Sequence, residues 1–238
     1  MNKKCPVRLA FTIPKVEGQR NEDSFQCSRK GIVALSDGAS VSFDSASWAQ
    51  IVVRQFAQNP EFSAQWLSEA IARFCERYNR DTLPWMQQAA FDRGSFASLL
   101  GVRYLNQGQR IQVFAIGDSL AVLCDGNEIK STFPYSAASE FDQQPQLLCT
   151  NPSENRFIND PDFDDLRFAD WSFCGLKRPA LLCMTDALGR WLLSSDDQHA
   201  AINTIRNLQT KKQFIRLVDS ERAAARMKRD DTTLLAIW

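Results

Sequence analysis

The residues best able to do chemistry in this chain are aspartates at the ends of apolar runs. Asp37 and Asp186 each close such a run, whereas Asp23 and Asp230 each stand just before one. If the runs are antiparallel strands, the carboxylates gather at one edge of the sheet structure. Clustered carboxylates repel one another unless cations neutralise them, and oxygen ligands without His or Cys favour magnesium, manganese or calcium. Any one of these aspartates, taken alone, can also be explained as a turn residue at the end of a strand, where Asp is common.

The elements that must position these acids change type several times along the chain. Alternating or continuous apolar runs bounded by turn residues predict strands, and apolar residues at helical spacing predict helices. The predicted strands are 7–13, 24–27, 32–35, a meander within 95–132 that includes a turn at 106–108, then 166–173, 180–185 and 232–238; the predicted helices are 44–56, 62–74, 187–193, 198–208 and 212–227.

One polar segment, 134–165, shows little periodicity. It contains Pro134, Pro145, Pro152 and Pro161 and ends in an acidic run. We expect a long surface flap with a short strand near 146–149. Nothing else divides the chain, so a single domain over 1–238 is expected.

Composition limits the partners and the compartment. Lys+Arg and Asp+Glu both total 28, so the formal net charge is zero and nothing favours binding to nucleic acid or to a membrane surface.

The seven cysteines form no C-x-x-C pair. This pattern favours reduced, packed thiols in a cytoplasmic protein over disulfides or zinc. No apolar run reaches the roughly 18 residues of a membrane-spanning helix.

Short motifs follow one another in a fixed order: N-E-D at 21–23, S-D-G at 36–38, G-S-F-A at 94–97, G-D-S-L at 117–120, T-D-A-L at 185–188 and D-D-T-T at 230–233. In this order they resemble the metal-dependent type 2C serine/threonine protein phosphatases, particularly their compact bacterial branch. The resemblance spans nearly the whole chain. It implies an α+β fold, a four-layer α-β-β-α sandwich of two antiparallel sheets flanked by helices, with a metal cluster at one end.

The resemblance also implies a ligand set for two Mn²⁺ or Mg²⁺ ions. Asp37 would bridge the ions. The Gly38 carbonyl and Glu22 would serve one of them, and Asp186 and Asp230 the other. Asp118 matches the position that, with Asp186, holds a weaker third ion in some members; a structural turn is the equal alternative for Asp118.

The chemistry expected of such a site needs no protein nucleophile. Two close cations activate a shared water and neutralise charge on a phosphoryl group. By the same resemblance, Asp23 would orient that water, so Asp23 and Asp37 are the predicted catalytic residues. The only histidine, His199, lies far from every motif and is interpreted as a surface residue.

Several positions depart from the family pattern. The usual D-G-x-G-G is here D-G-A-S-V at 37–41, so its second pair of glycines is missing. The usual glycine of the T-D-G-L motif is Ala187, and the usual arginine of G-D-S-R is Leu120. Gly18 stands where the family has its phosphate-binding arginine. Arg20 is the candidate replacement, with Lys15 nearby.

The leading hypothesis is therefore a phosphatase that removes phosphate from serine or threonine of a phosphorylated protein and opposes a cognate serine/threonine kinase. A different class of function is a pseudophosphatase that binds a phosphoprotein without turnover, which the altered glycines and the missing arginine favour. A phosphatase for a small phosphorylated metabolite is the third alternative.

Overall fold

The computed structural model describes residues 7–28, 30–105 and 109–237. The turn predicted at 106–108 and the last residue of the final predicted strand, 238, lie outside this part of the chain. Within it, the strands are β1 Leu9–Ile13, β2 Ser24–Cys27, β3 Ile32–Ser36, β4 Phe96–Ala97, β5 Leu99–Leu105, β6 Arg110–Ile116, β7 Leu120–Asp125, β8 Glu128–Phe133, β9 Leu148–Cys149, β10 Phe168–Ser172, β11 Pro179–Met184 and β12 Thr232–Ile237.

The helices follow the predicted positions with two additions. They are α1 Ser45–Gln58, α2 Ala64–Cys75, α3 Trp85–Arg93, α4 Phe163–Arg167, α5 Asp186–Ser194, α6 Gln198–Arg206 and α7 Lys211–Ala223. The shorter addition, α4, replaces the start of the strand predicted at 166–173. The longer addition, α3, has no buried residue and exposes Trp85 and Met86. It therefore lacks the apolar stripe that identifies a helix in a sequence.

Antiparallel pairing joins these strands into two five-stranded sheets, in the orders β1-β12-β11-β7-β8 and β10-β6-β5-β3-β2. The short strands β4 and β9 pair separately. The final strand, β12, lies between β1 and β11, so the two ends of the described chain meet inside one sheet.

Central strands are buried on both faces because each sheet is covered on both sides. In β3, Val33 and Leu35 belong to the core between the sheets, whereas Ile32 and Ala34 pack with residues of α1 and α2. On the other sheet, the outer face of β11 packs with residues of α5, α6 and α7. The predicted four-layer α-β-β-α sandwich is thus confirmed, and continuous apolar strands are its direct sequence signature.

The segment 134–165 contains more regular structure than a surface loop. Short 3-10 turns lie at Ala138–Asp142 and Pro152–Asn159, and β9 is the short strand expected near 146–149. Asn155 is buried, and its Oδ1 accepts a hydrogen bond from the Cys149 N–H at 2.9 Å. This part of the segment is therefore packed into the protein.

The cysteines agree only in part with the expectation of reduced thiols. Cys75, Cys124, Cys149, Cys174 and Cys183 are free. Cys27 is disulfide-bonded, so the expectation is wrong at that position. Among the described residues, no helix is both long and apolar enough to cross a membrane.

Candidate metal centre

Acidic side chains from widely separated motifs line one cavity of about 380 Å³. Asp37 directly follows β3, Asp118 lies in the turn between β6 and β7, Asp186 is the first residue of α5, and Asp230 comes two residues before β12. Gly38, Lys15 and Lys228 line the same cavity. The antiparallel sandwich thus brings together the acids that the sequence placed at strand ends.

The backbone around Asp37 is fixed by two serines that the motif comparison did not single out as site residues. The Asp37 N–H donates to the Ser98 Oγ at 2.9 Å, and the Ser98 N–H donates to the Asp37 carbonyl at 2.8 Å. The hydroxyls of Ser98 and Ser119 lie 2.9 Å apart, and both residues are buried. These bonds leave the Asp37 side chain free to face the cavity.

Gly38 is required by a close approach of α1. A Cβ atom added there would lie 2.8 Å from the Ser45 carbonyl oxygen, a contact that real Cβ atoms do not make. Gly38 also forms an isolated antiparallel bridge with Ala97. The glycine of the S-D-G motif therefore lets the first turn of α1 pack directly beside Asp37.

Asp23 lies beside this cluster and is held by two buried threonines. Its Oδ2 accepts hydrogen bonds from Thr233 Oγ1 at 2.6 Å and Thr185 Oγ1 at 3.1 Å. Its Oδ1 is buried and has no hydrogen-bond partner in the part of the chain that the structure describes. Burial, followed by the charges of Asp231 and Asp186, raises the pKa of Asp23 well above its usual value despite these hydrogen bonds. A buried carboxylate oxygen without a partner is stabilised when a proton, a water molecule or a cation binds to it.

Glu22 does not line the cavity but is fixed next to Asp23. Its N–H donates to Asp231 Oδ2 at 2.5 Å, and Ser45 Oγ donates to its carboxylate. Glu22 therefore connects the loop before β2 to the start of α1, one residue away from Asp23.

The carboxylates shift one another's protonation. Burial, followed by the charge of Asp23 and then of Asp186, raises the pKa of Asp37 well above its usual value. Burial, again with Asp186, raises the pKa of Asp118 to about 6. Both shifts arise because negative charge is concentrated where water is scarce, so cations would stabilise this region.

Two lysines partly supply that positive charge. The Lys228 Nζ lies 3.0 Å from Asp186 Oδ2 and 2.7 Å from Asp230 Oδ2, and the Lys15 Nζ lies 3.7 Å from Asp230 Oδ1. The Asp186 and Asp230 charges raise the pKa of Lys228 above its ordinary value although its partial burial acts against this. Within the described ranges, no three acidic, histidine or cysteine side chains already have the arrangement of a metal site.

The donor chemistry of the centre nevertheless fits hard divalent cations. Its acidic donors are all carboxylates. Among the described residues, no cysteine or histidine lines the cavity, and Asp23 has a buried oxygen without a partner. Oxygen-only sites of this kind suit magnesium and manganese. In the present arrangement, Asp186 and Asp230 each form an ion pair with Lys228.

Arg20 and His199 lie apart from the cavity. The Arg20 guanidinium pairs with Asp44 at 2.7 Å and donates to Ser47 Oγ at 3.2 Å. Among the described residues that line the cavity, the cations are Lys15 and Lys228. His199 is exposed near the start of α6, as the sequence indicated.

Comparison with known proteins supports the fold. No family model and no curated protein matches the sequence. A solved bacterial serine phosphatase is 11% identical with a TM-score of 0.62 over 97% of each chain. Stp1 from Staphylococcus aureus is 11% identical with a TM-score of 0.62, covering 100% of this chain and 96% of Stp1. The catalytic domain of the serine/threonine phosphatase PstP, solved with two manganese ions, is 16% identical with a TM-score of 0.57 over 96% of each chain.

The chain therefore has the fold of the bacterial serine/threonine phosphatases over nearly its full length. The resemblance to the type 2C family, first seen in the order of the motifs, is confirmed at the level of the fold.

Sequence reasoning missed the residues that hold the acids in place. Thr185 and Thr233 each belong to a motif, and their full burial identifies them as positioning residues only once the structure is known. Lys228 carried no signal except its position two residues before Asp230. A lysine that close to a predicted ligand is the one local sign that could have been used.

Proposed function

We propose that this chain is a metal-dependent phosphatase that hydrolyses phosphoserine and phosphothreonine in proteins. The observation that carries the proposal is the convergence of Asp37, Asp118, Asp186 and Asp230 on one cavity. Hydrolysis of a phosphate ester needs little covalent chemistry from the protein, because positioning and charge stabilisation supply most of the catalysis. A carboxylate cluster that attracts divalent cations is suited to that task.

Asp37, the Gly38 carbonyl and Glu22 would hold one Mn²⁺ or Mg²⁺ ion, and Asp37, Asp186 and Asp230 the other. When bound, two such ions lower the pKa of a water and neutralise charge on the phosphoryl oxygens. Asp118 would add a weaker third position together with Asp186.

The protein's own contribution centres on Asp23. Thr185 and Thr233 fix one carboxylate oxygen, and the other has no partner. Burial raises the pKa of Asp23, which is the direction that makes a carboxylate a better proton acceptor. Asp23 would therefore orient the attacking water and hold its proton at Oδ1. Lys15 is the cavity cation that we assign to the substrate phosphate, in preference to Arg20.

The solved neighbours are serine/threonine phosphatases, which supports a phosphoprotein substrate. An enzyme of this kind opposes a serine/threonine kinase, and such a kinase is the partner that we expect. If the substrate is a phosphoprotein, kcat/KM should be higher for phosphothreonine peptides than for phosphorylated metabolites. A metabolite phosphatase should show the reverse.

The test is hydrolysis of p-nitrophenyl phosphate and of a phosphothreonine peptide during a manganese titration. Asp37→Asn should lose more than about 100-fold in kcat/KM, equivalent to about 2.7 kcal/mol of transition-state stabilisation. Asp196→Asn is the matched control, because it removes the same charge from an exposed residue remote from the cavity. Manganese-dependent activity that survives Asp37→Asn would contradict the metal assignment.

One observation favours a second candidate, a pseudophosphatase that binds a phosphoprotein. Lys228 already pairs with the two acids assigned to one of the ions. A folded wild-type chain that binds phosphothreonine peptide but hydrolyses neither substrate at any manganese concentration would select this alternative.

A further inference from the structure

The ammonium group of Lys228 lies between two acids of the centre. Its Nζ is 3.0 Å from Asp186 Oδ2 and 2.7 Å from Asp230 Oδ2. Lys228 belongs to the connection between α7 and β12, whereas Asp186 begins α5. The lysine thus joins two elements through the oxygens that a cation would use.

A divalent ion cannot coordinate these two oxygens while the ammonium group pairs with them. Both cations are attracted by the same negative charges, and like charges so close together repel. We propose that Lys228 is a tethered competitor of the divalent ion at Asp186 and Asp230, so that the chain binds its two ions with unequal affinity. This inference rests on the metal ligands assigned in the proposed function.

The geometry allows the lysine to leave while the acids stay in place. The Lys228 side chain is 55% exposed, against 14% for Asp186 and 19% for Asp230. A lysine has a flexible stem and a strongly hydrated head group, so water can replace its two ion pairs at modest cost. The acids are held by the first turn of α5 and the start of β12 and keep their positions.

The other ion is expected to bind without this competition. Among the described residues, Asp37 forms no ion pair within 4.0 Å. Its backbone is already fixed by Ser98. The first ion should therefore bind at the position formed by Asp37, Gly38 and Glu22. The second ion should bind at Asp186 and Asp230 only at a higher metal concentration.

The test is a MnCl₂ titration of the purified chain by isothermal calorimetry, with equilibrium dialysis to count the ions. Wild type should show one tighter and one weaker ion. Lys228→Ala should tighten the weaker ion about tenfold or more, because the competitor is gone. Lys228→Arg keeps the charge and should retain the weak step. Lys212→Ala is the matched control, since it removes a positive charge from an exposed position on α7.

Different results overturn different statements. Two ions with unchanged affinities in Lys228→Ala would overturn the competition and leave the proposed metal centre intact. Weaker binding in Lys228→Ala would also overturn it. No manganese binding in any of the proteins would overturn both the competition and the metal assignment. Circular dichroism checks that each variant is folded. If Lys228→Ala does not fold, the same titration is made with Lys228→Gln, which also removes the positive charge.

Discussion

The Asp231 carboxylate accepts a hydrogen bond from the Glu22 N–H at 2.5 Å, although 209 positions separate the two residues. Its other oxygen accepts from the Lys15 N–H, also at 2.5 Å. Asp231 is only 4% exposed. One buried side chain therefore fixes both ends of the loop that carries Lys15, Arg20 and Glu22, and with it the approach to the acidic cavity.

Asp231→Asn is expected to lower the free energy of unfolding by about 2–4 kcal/mol, because an amide has a single accepting oxygen and leaves one of the two N–H groups unpaired. Urea unfolding measures this loss. The same variant should weaken manganese binding, since the Glu22 backbone loses one of the contacts that fix its position. Unchanged stability would mean that water replaces the lost hydrogen bond and that the loop is positioned by other contacts.

Lys15→Ala is expected to lower kcat/KM for p-nitrophenyl phosphate about tenfold, mostly through KM, because Lys15 lines the cavity. Arg20→Ala should change it less than about twofold, since Arg20 pairs with Asp44 outside the cavity. Steady-state kinetics at saturating manganese compares the two. The reverse order would return the phosphate-binding role to Arg20.

Asp118 should make the metal-stripped chain sensitive to pH. Burial and then Asp186 raise its pKa from 3.8 to about 6 in the folded state, so the folded chain holds this proton more tightly than the unfolded chain does. The contribution to stability is therefore fully present below the lower value and is lost as the pH rises to about 6.

Asp118→Asn removes this group and should be more stable than wild type at about pH 7 in EDTA, by about 1–3 kcal/mol, with the difference shrinking toward about pH 4. Urea unfolding across this range measures it. Saturating manganese should reduce the difference by neutralising the cluster. A difference that does not vary with pH would show that the Asp118 carboxyl is not responsible.

Gly38→Ala should disturb the centre without any change of charge. Its new Cβ would lie 2.8 Å from the Ser45 carbonyl oxygen, so α1 or the turn after Asp37 has to shift. We expect a loss of about 1–3 kcal/mol in stability and weaker manganese binding. Thermal unfolding and calorimetry measure the two effects. Wild-type values for both would mean that α1 moves freely enough to accept the methyl group.

Much of the framework follows from the sequence because it depends on local patterns. Continuous apolar runs such as 180–185 indicate strands covered on both faces, and β11 is covered in that way. Asp23 precedes β2 and Asp37 follows β3, so antiparallel pairing of these strands predicts that the two acids lie at one edge, and the pairing of β11 with β12 predicts the same of Asp186 and Asp230. The meeting of these two pairs depends on the packing of one sheet on the other, which the local patterns do not specify.

The missed features depend on contacts between distant segments. Asp23 is held by Thr185 and Thr233, which lie 162 and 210 positions away. Whether such a threonine supports a carboxylate or merely fills the core is decided by the pairing of β12 with its neighbours. Lys228 is a similar case, because its link to Asp186 spans 42 positions and leaves no periodic trace in the sequence.

The place of β12 between β1 and β11 has a consequence for protein synthesis. During translation, β1 and β11 emerge from the ribosome before the strand that joins them, and Asp230 emerges just ahead of it. The nascent chain can form the helix-covered sheet around β3, β5 and β6 earlier, since those strands pair with one another. The acidic cavity, and any chemistry that it supports, is therefore completed only after β12 has left the exit tunnel.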